Sequence, residues 1–122
     1  GEPIDLAMGY VNQLWQGDAN AYLCRCFAFC SSPATTLNMT GRDVLSVRSI
    51  AEQLGELLSI EPTFVGEEAS TALLGNAGRM LDELGEPTIG IDQMTNWVAG
   101  WLKTGGRTLG KPTKFESRTG KF

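Results

Sequence analysis

Val47, Ile50, Ala51, Leu54, Leu57 and Leu58 recur at i, i+3 and i+4, and that spacing constrains this chain more than any other feature. It puts six apolar side chains on one stripe of a helix whose other face is Arg48, Ser49, Glu52, Gln53 and Glu56. Ser46 stands where the helix needs a cap, because its hydroxyl can accept from an orphan amide of the first turn, and Leu45 and Ile50 have the spacing of a hydrophobic staple. Residues 36–58 therefore read as a short strand, a Gly-Arg-Asp turn and an amphipathic helix starting at Val47. One apolar stripe cannot be satisfied alone, so the other segments must supply the surface that covers it.

Those segments are short. Residues 3–16 read as two β-compatible pieces joined at Met8-Gly9. Gly17 breaks the strand and Asp18 is placed to cap a helix over 19–30, apolar nearly all round and so expected to be buried on more than one side. Ser31, Ser32 and Pro33 stop it. Residues 62–65 form a further strand closed by Gly66, and 72–74 are extended. Asn76 caps a shorter helix carrying Ala77, Met80, Leu81 and Leu84, stopped by Gly85 and Pro87. Asp92 caps a last helix with the stripe Met94, Trp97, Val98, Trp101 and Leu102, which ends at Gly105-Gly106. The pattern predicts a small mixed α+β domain of the α/β class, with short strands and about four helices.

Its 122 residues suffice for one domain with a small core, and 42% hydrophobic with 20% charged residues is the balance of a globular chain. No apolar run reaches the length that crosses a bilayer, and Cys24, Cys26 and Cys30 give no disulfide framework, so a cytoplasmic location and no membrane partner are expected. Residues 1–105 read as the folded body and 106–122 as a basic C-terminal tail, in which Arg107, Lys111, Lys114, Arg118 and Lys121 face the single acid Glu116. Phe115 and Phe122 argue that part of this tail is buried. The acidic remainder argues against nucleic acid as a partner.

Few residues offer chemistry. The chain has no histidine, which removes the commonest general base and metal ligand. On a helix the three cysteines fall at 0°, about 200° and about 240°, so they do not converge on a metal and read as buried structural thiols. Glu67-Glu68 and Asp82-Glu83 read as solvated acidic edges, and Trp97 and Trp101 as core rather than an aromatic platform. No glycine-rich phosphate loop is present.

The order of the pieces is more telling. Leu14-Trp15-Gln16-Gly17-Asp18-Ala19 before a helix, Leu37-Asn38-Met39-Thr40-Gly41, then Leu45-Ser46-Val47-Arg48-x-Ile50-Ala51, and Asp82-Glu83-Leu84-Gly85-x-Pro87 before the last helix follow one another as in the C-terminal portion of NAD-dependent epimerases/dehydratases. The chain resembles that family, the extended short-chain dehydrogenases/reductases, up to about Gly105.

The resemblance implies a C-terminal substrate-binding domain over 1–105, separate from the N-terminal Rossmann domain that would bind NAD or NADP. It also implies that this chain holds neither cofactor nor catalytic residues. The family's Tyr-x-x-x-Lys pair is missing, since the residues four beyond Tyr10 and Tyr22 are Leu14 and Cys26. Val65-Gly66-Glu67-Glu68-Ala69 lacks the arginine with which nucleotide-sugar members hold a pyrophosphate, so a smaller sugar or carbonyl compound is the expected substrate. By position, Met8, Tyr10, Asn12 and Trp15 are the substrate-facing candidates. A stand-alone binding or dimerisation module of similar fold is the alternative; the exposed interdomain surface of a separated domain predicts concentration-dependent self-association, whereas a chain that stays monomeric favours the module.

Overall fold

The computed structural model describes residues 2–111 and 117–119. Its elements are β1 (Ile4–Asp5), β2 (Tyr10–Val11), α1 (Gln16–Arg25) with a 3-10 turn (Cys26–Phe29), β3 (Leu45–Ser46), α2 (Val47–Leu58), β4 (Phe64–Val65), α3 (Gly78–Leu84) and α4 (Ile91–Lys103). This is a small mixed α/β domain of four helices and a few short strands.

The strands are arranged around α2. β3 leads directly into it and pairs antiparallel with β2, Tyr10 opposite Ser46 and Val11 opposite Leu45. β4 follows it and pairs parallel with β1, Ile4 opposite Phe64 and Asp5 opposite Val65. The N-terminal segment thus grips both ends of the helix, and the Gly9 carbonyl also accepts from the Val47 amide at 2.9 Å. Between the two pairings, Leu6 and Met8 are buried. Ser46 Oγ accepts from the Ser49 amide at 3.2 Å, which is the cap the sequence predicts. Ser59 ends α2 in the left-handed region at φ 57°.

A second core joins α1 to α3 through Tyr22, Ala77, Met80 and Leu84, with Leu14, Phe29, Leu37 and Met39 packed against them. The Tyr22 hydroxyl donates to the Gly85 carbonyl at 2.9 Å and Arg25 Nη1 to the Leu84 carbonyl at 2.5 Å. Two side chains of α1 thereby satisfy acceptors that the end of α3 leaves open. At its other end Ala77, not Asn76, is the N-cap and no side chain caps the helix; Asn76 stands one residue earlier, its Oδ1 accepting from the Gly78 amide at 2.8 Å in a local turn. α4 lies against α2 and buries only Thr95 and Ala99.

Several expectations are corrected. α1 begins at Gln16, not after Asp18, and becomes a 3-10 turn at Cys26. Asp18 is not its cap, because loop 88–89 recruits the carboxylate. Only Asp18 and Tyr22 of α1 are buried, while Leu23 and the adjoining Phe27 are exposed. Cys24 and Cys30 are likewise exposed thiols and Cys26 is half-buried.

Residues 36–41 pair with no strand, and Leu14-Trp15 lies beyond the end of β2. Gly90, not Asp92, precedes α4; Asp92 sits in the first turn and its Oδ1 accepts from Gln53 Nε2 at 3.0 Å. The stripe of α4 is not core: Trp97, Val98, Trp101 and Leu102 are exposed, because this helix approaches its neighbour through Thr95 and Ala99. Lys114, Phe115, Glu116, Lys121 and Phe122 lie outside the described residues. Among the described residues no helix is long and apolar enough to cross a membrane.

Candidate functional site

Met8, Tyr10 and Asn12 are two residues apart, and with Val11 between the last two they line the same cleft. They form one wall of this cleft of about 230 Å³, closed by Thr40, Leu73 and Gly75 with Ser117 at its edge. The opposite wall is hung on two of them. Met8 Sδ accepts from the Leu73 amide at 3.3 Å, and Asn12 Oδ1 accepts from the Gly75 amide at 2.8 Å while its Nδ2 donates to the Asp43 carbonyl at 3.0 Å. Asn12 therefore fixes two loops at once. Tyr10 is 37% exposed, and its hydroxyl bonds to no described residue, so it is open to a ligand.

Trp15 is not with the other three. Its position falls off their period, at the entry to α1, and its ring meets Trp97 edge to face with centroids 5.3 Å apart.

Arg118 ties the C-terminal segment to this region. Its Nη1 donates to the Ala7 carbonyl at 3.0 Å and the Thr71 carbonyl at 2.8 Å, and its Nη2 to Thr71 Oγ1 at 2.6 Å. This basic residue thus docks on neutral oxygens, not on acids. Arg48 is engaged as well, paired with Glu68 at 3.0 Å and stacked over the Phe64 ring at 4.5 Å. Among the described residues none that lines the cleft is charged, and a cation, Arg118, lies close by, its Nη1 3.9 Å from Met8 Sδ. Such a cavity can orient hydroxyl and carbonyl groups through Tyr10, Asn12 and Thr40, while the cation beside it, Arg118, is engaged with Ala7 and Thr71.

No protein-family model matches the chain, and neither a curated protein nor a solved structure matches it. Val11, Thr40, Leu73, Gly75 and Ser117, with Arg118 beside them, are the site residues that sequence reasoning missed. Thr40 carried a signal, since it lies in the Asn-x-Thr-Gly segment. Leu73 and Arg118 reach the cleft only through contacts 65 and 111 residues distant in sequence.

The other large concavity runs along α2. Ile4, Val11, Val47, Ile50, Leu54, Leu58, Ile60 and Pro62 line an apolar groove of about 610 Å³ with Glu2 and Glu61 at its rim. The stripe that first defined the helix is thus covered on one side only.

Proposed function

We propose that this chain is the C-terminal substrate-binding portion of an NAD(P)-dependent oxidoreductase of the epimerase/dehydratase kind. It acts on a sugar or related carbonyl compound and works with an N-terminal Rossmann domain that supplies the dinucleotide and the Tyr-Lys pair. The observation that carries this reading is the cleft at Met8, Tyr10 and Asn12, whose lining among the described residues is uncharged. At about 230 Å³ it is smaller than the roughly 300 Å³ at which pockets for drug-sized ligands begin. A small hydroxylated carbonyl compound suits that volume and lining, whereas a nucleoside diphosphate would bring unpaired negative charge. The apolar groove on α2 supports a partner domain, since such a surface favours burial. Three free thiols are in keeping with a reducing cytoplasm.

The test is made on the protein as its host produces it. Its mass is expected to exceed this chain by a dinucleotide-binding domain, and it is expected to bind NAD or NADP. Tyr10→Phe and Asn12→Ala are then expected to raise KM for the small carbonyl substrate. A native product that binds no dinucleotide overturns the reading.

The exposed stripe Trp97, Val98, Trp101 and Leu102 favours a second reading, a binding or dimerisation module without enzymatic activity. Concentration-dependent self-association of a product without dinucleotide affinity would select it.

A further inference from the structure

The 3-10 turn after α1, the loop over 31–37 and one side of α3 enclose a separate cavity of about 240 Å³. Cys26 and Cys30 both line it, Phe29 and Leu37 supply apolar wall, and Arg79 and Glu83 bring opposite charges. Cys30 is exposed, with its Sγ 3.8 Å from the Cys26 carbonyl oxygen. Arg79 and Glu83 are four apart on α3 and so emerge one turn apart on the same face. Arg79 Nη1 donates to the Thr36 carbonyl at 3.1 Å, which holds the guanidinium against the cavity and leaves its other N–H groups to a ligand. Glu83 makes neither hydrogen bond nor ion pair among the described residues.

A thiol, an anion acceptor and a cation acceptor around one small cavity are complementary to a zwitterion that carries sulfur. We propose that Cys30 is a thiol–disulfide exchange site for a small zwitterionic peptide disulfide of the glutathione type, with Arg79 binding a carboxylate and Glu83 the ammonium group. In the exchange, deprotonated Cys30 Sγ attacks one sulfur of the disulfide. The ligand's S–S bond breaks as the Sγ–S bond forms, and the departing peptide leaves as a thiolate that takes up the proton Cys30 gave up. Cys30 is oxidised to the mixed disulfide and half of the ligand is reduced to thiol. This site uses no residue of the Met8–Asn12 cleft and stands independently of the function proposed there.

Cys24 is an internal reference, exposed like Cys30 but outside the cavity. The protein is reacted in parallel with oxidised glutathione and with the uncharged bis(2-hydroxyethyl) disulfide, quenched in acid and mapped by peptide mass spectrometry. The Cys30-to-Cys24 labelling ratio is expected to be about tenfold higher with glutathione than with the neutral disulfide, as charge-assisted contacts to two groups allow. Arg79→Gln and Glu83→Gln are each expected to bring the glutathione ratio down toward the neutral one. Glu83→Gln removes no contact of the fold, and an unchanged thermal midpoint verifies that the variant is folded. Equal ratios with the two disulfides, or a preference for Cys30 that survives both substitutions, would overturn the proposal.

Discussion

Asp18 in the first turn of α1 holds Thr88, 70 residues further along the chain, through both carboxylate oxygens: Oδ1 accepts from the Thr88 hydroxyl at 2.6 Å and Oδ2 from the Thr88 amide at 3.0 Å. Oδ2 also accepts from the Ile89 amide at 3.1 Å, and Asp18 is only 5% exposed. The carboxylate sits at a helix N-terminus, where its charge is favoured. Asp18→Ala would leave three donors without their acceptor, and its unfolding free energy in urea is expected to fall by about 3 kcal/mol. Asp18→Asn keeps one acceptor oxygen and is expected to cost less. A loss below about 0.5 kcal/mol for the alanine variant would contradict this account.

Gly41 is buried and lies so close to Gln13 that an added Cβ would run into its carbonyl oxygen. Backbone cannot move aside as a flexible side chain can. Gly41→Ala is expected to destabilise the protein by roughly 2–3 kcal/mol, read as a lower thermal midpoint. The same contact explains why the Asn-x-Thr-Gly segment ends in glycine here.

Within the cleft, Asn12 and Tyr10 are expected to separate. Asn12→Ala removes the acceptor for Gly75 and the donor to Asp43, for an expected loss of about 1–2 kcal/mol in a denaturant titration. Tyr10→Phe disturbs no described hydrogen bond and is expected to change stability by less than about 0.5 kcal/mol. Weakened ligand binding in the tyrosine variant then reports contact with the hydroxyl.

Arg118→Ala breaks the hydrogen bonds that anchor this residue to Ala7, Met8 and Thr71 beside the cleft. Amides near Thr71 are expected to exchange hydrogen faster in this variant, with protection in the α1–α3 core unchanged. Uniform loss of protection throughout would instead make Arg118 part of the global fold.

Burial raises the pKa of the Tyr22 phenol above its ordinary value of 10.0, and the nearby Asp18 carboxylate raises it further. The raised group keeps its proton in the fold at pH values where the unfolded chain loses it. Its stabilising contribution is therefore complete below pH 10.0 and is lost as pH rises through the folded value. Thermal midpoints are expected to fall more steeply above pH 10.0 for the parent than for Tyr22→Phe.

The legible parts were those fixed by neighbours in sequence. The α2 stripe, its Ser46 cap and the strand that closes at Val65 each depend on residues within a few positions, where local geometry suffices. The misread parts were decided at a distance. Asp18 looked like a cap because aspartate favours helix starts, yet it was claimed by residues 88 and 89. The α4 stripe looked like core, but periodicity says which residues share a face and not which face a neighbour covers.

For the cleft, the sequence alone pointed to Met8, Tyr10 and Asn12 only by their place in the chain. It did determine the helix at Val47–Leu58 and the small mixed fold class. Only the tertiary structure decided that Trp15 leaves this group for Trp97, that Leu73 and Gly75 hang from Met8 and Asn12, and that Arg118 closes against Ala7 and Thr71. The physical reason is the range of the contacts. Dihedral preferences and caps act within one or two turns, whereas these partners meet only once β1 has paired with β4 and β2 with β3 around α2.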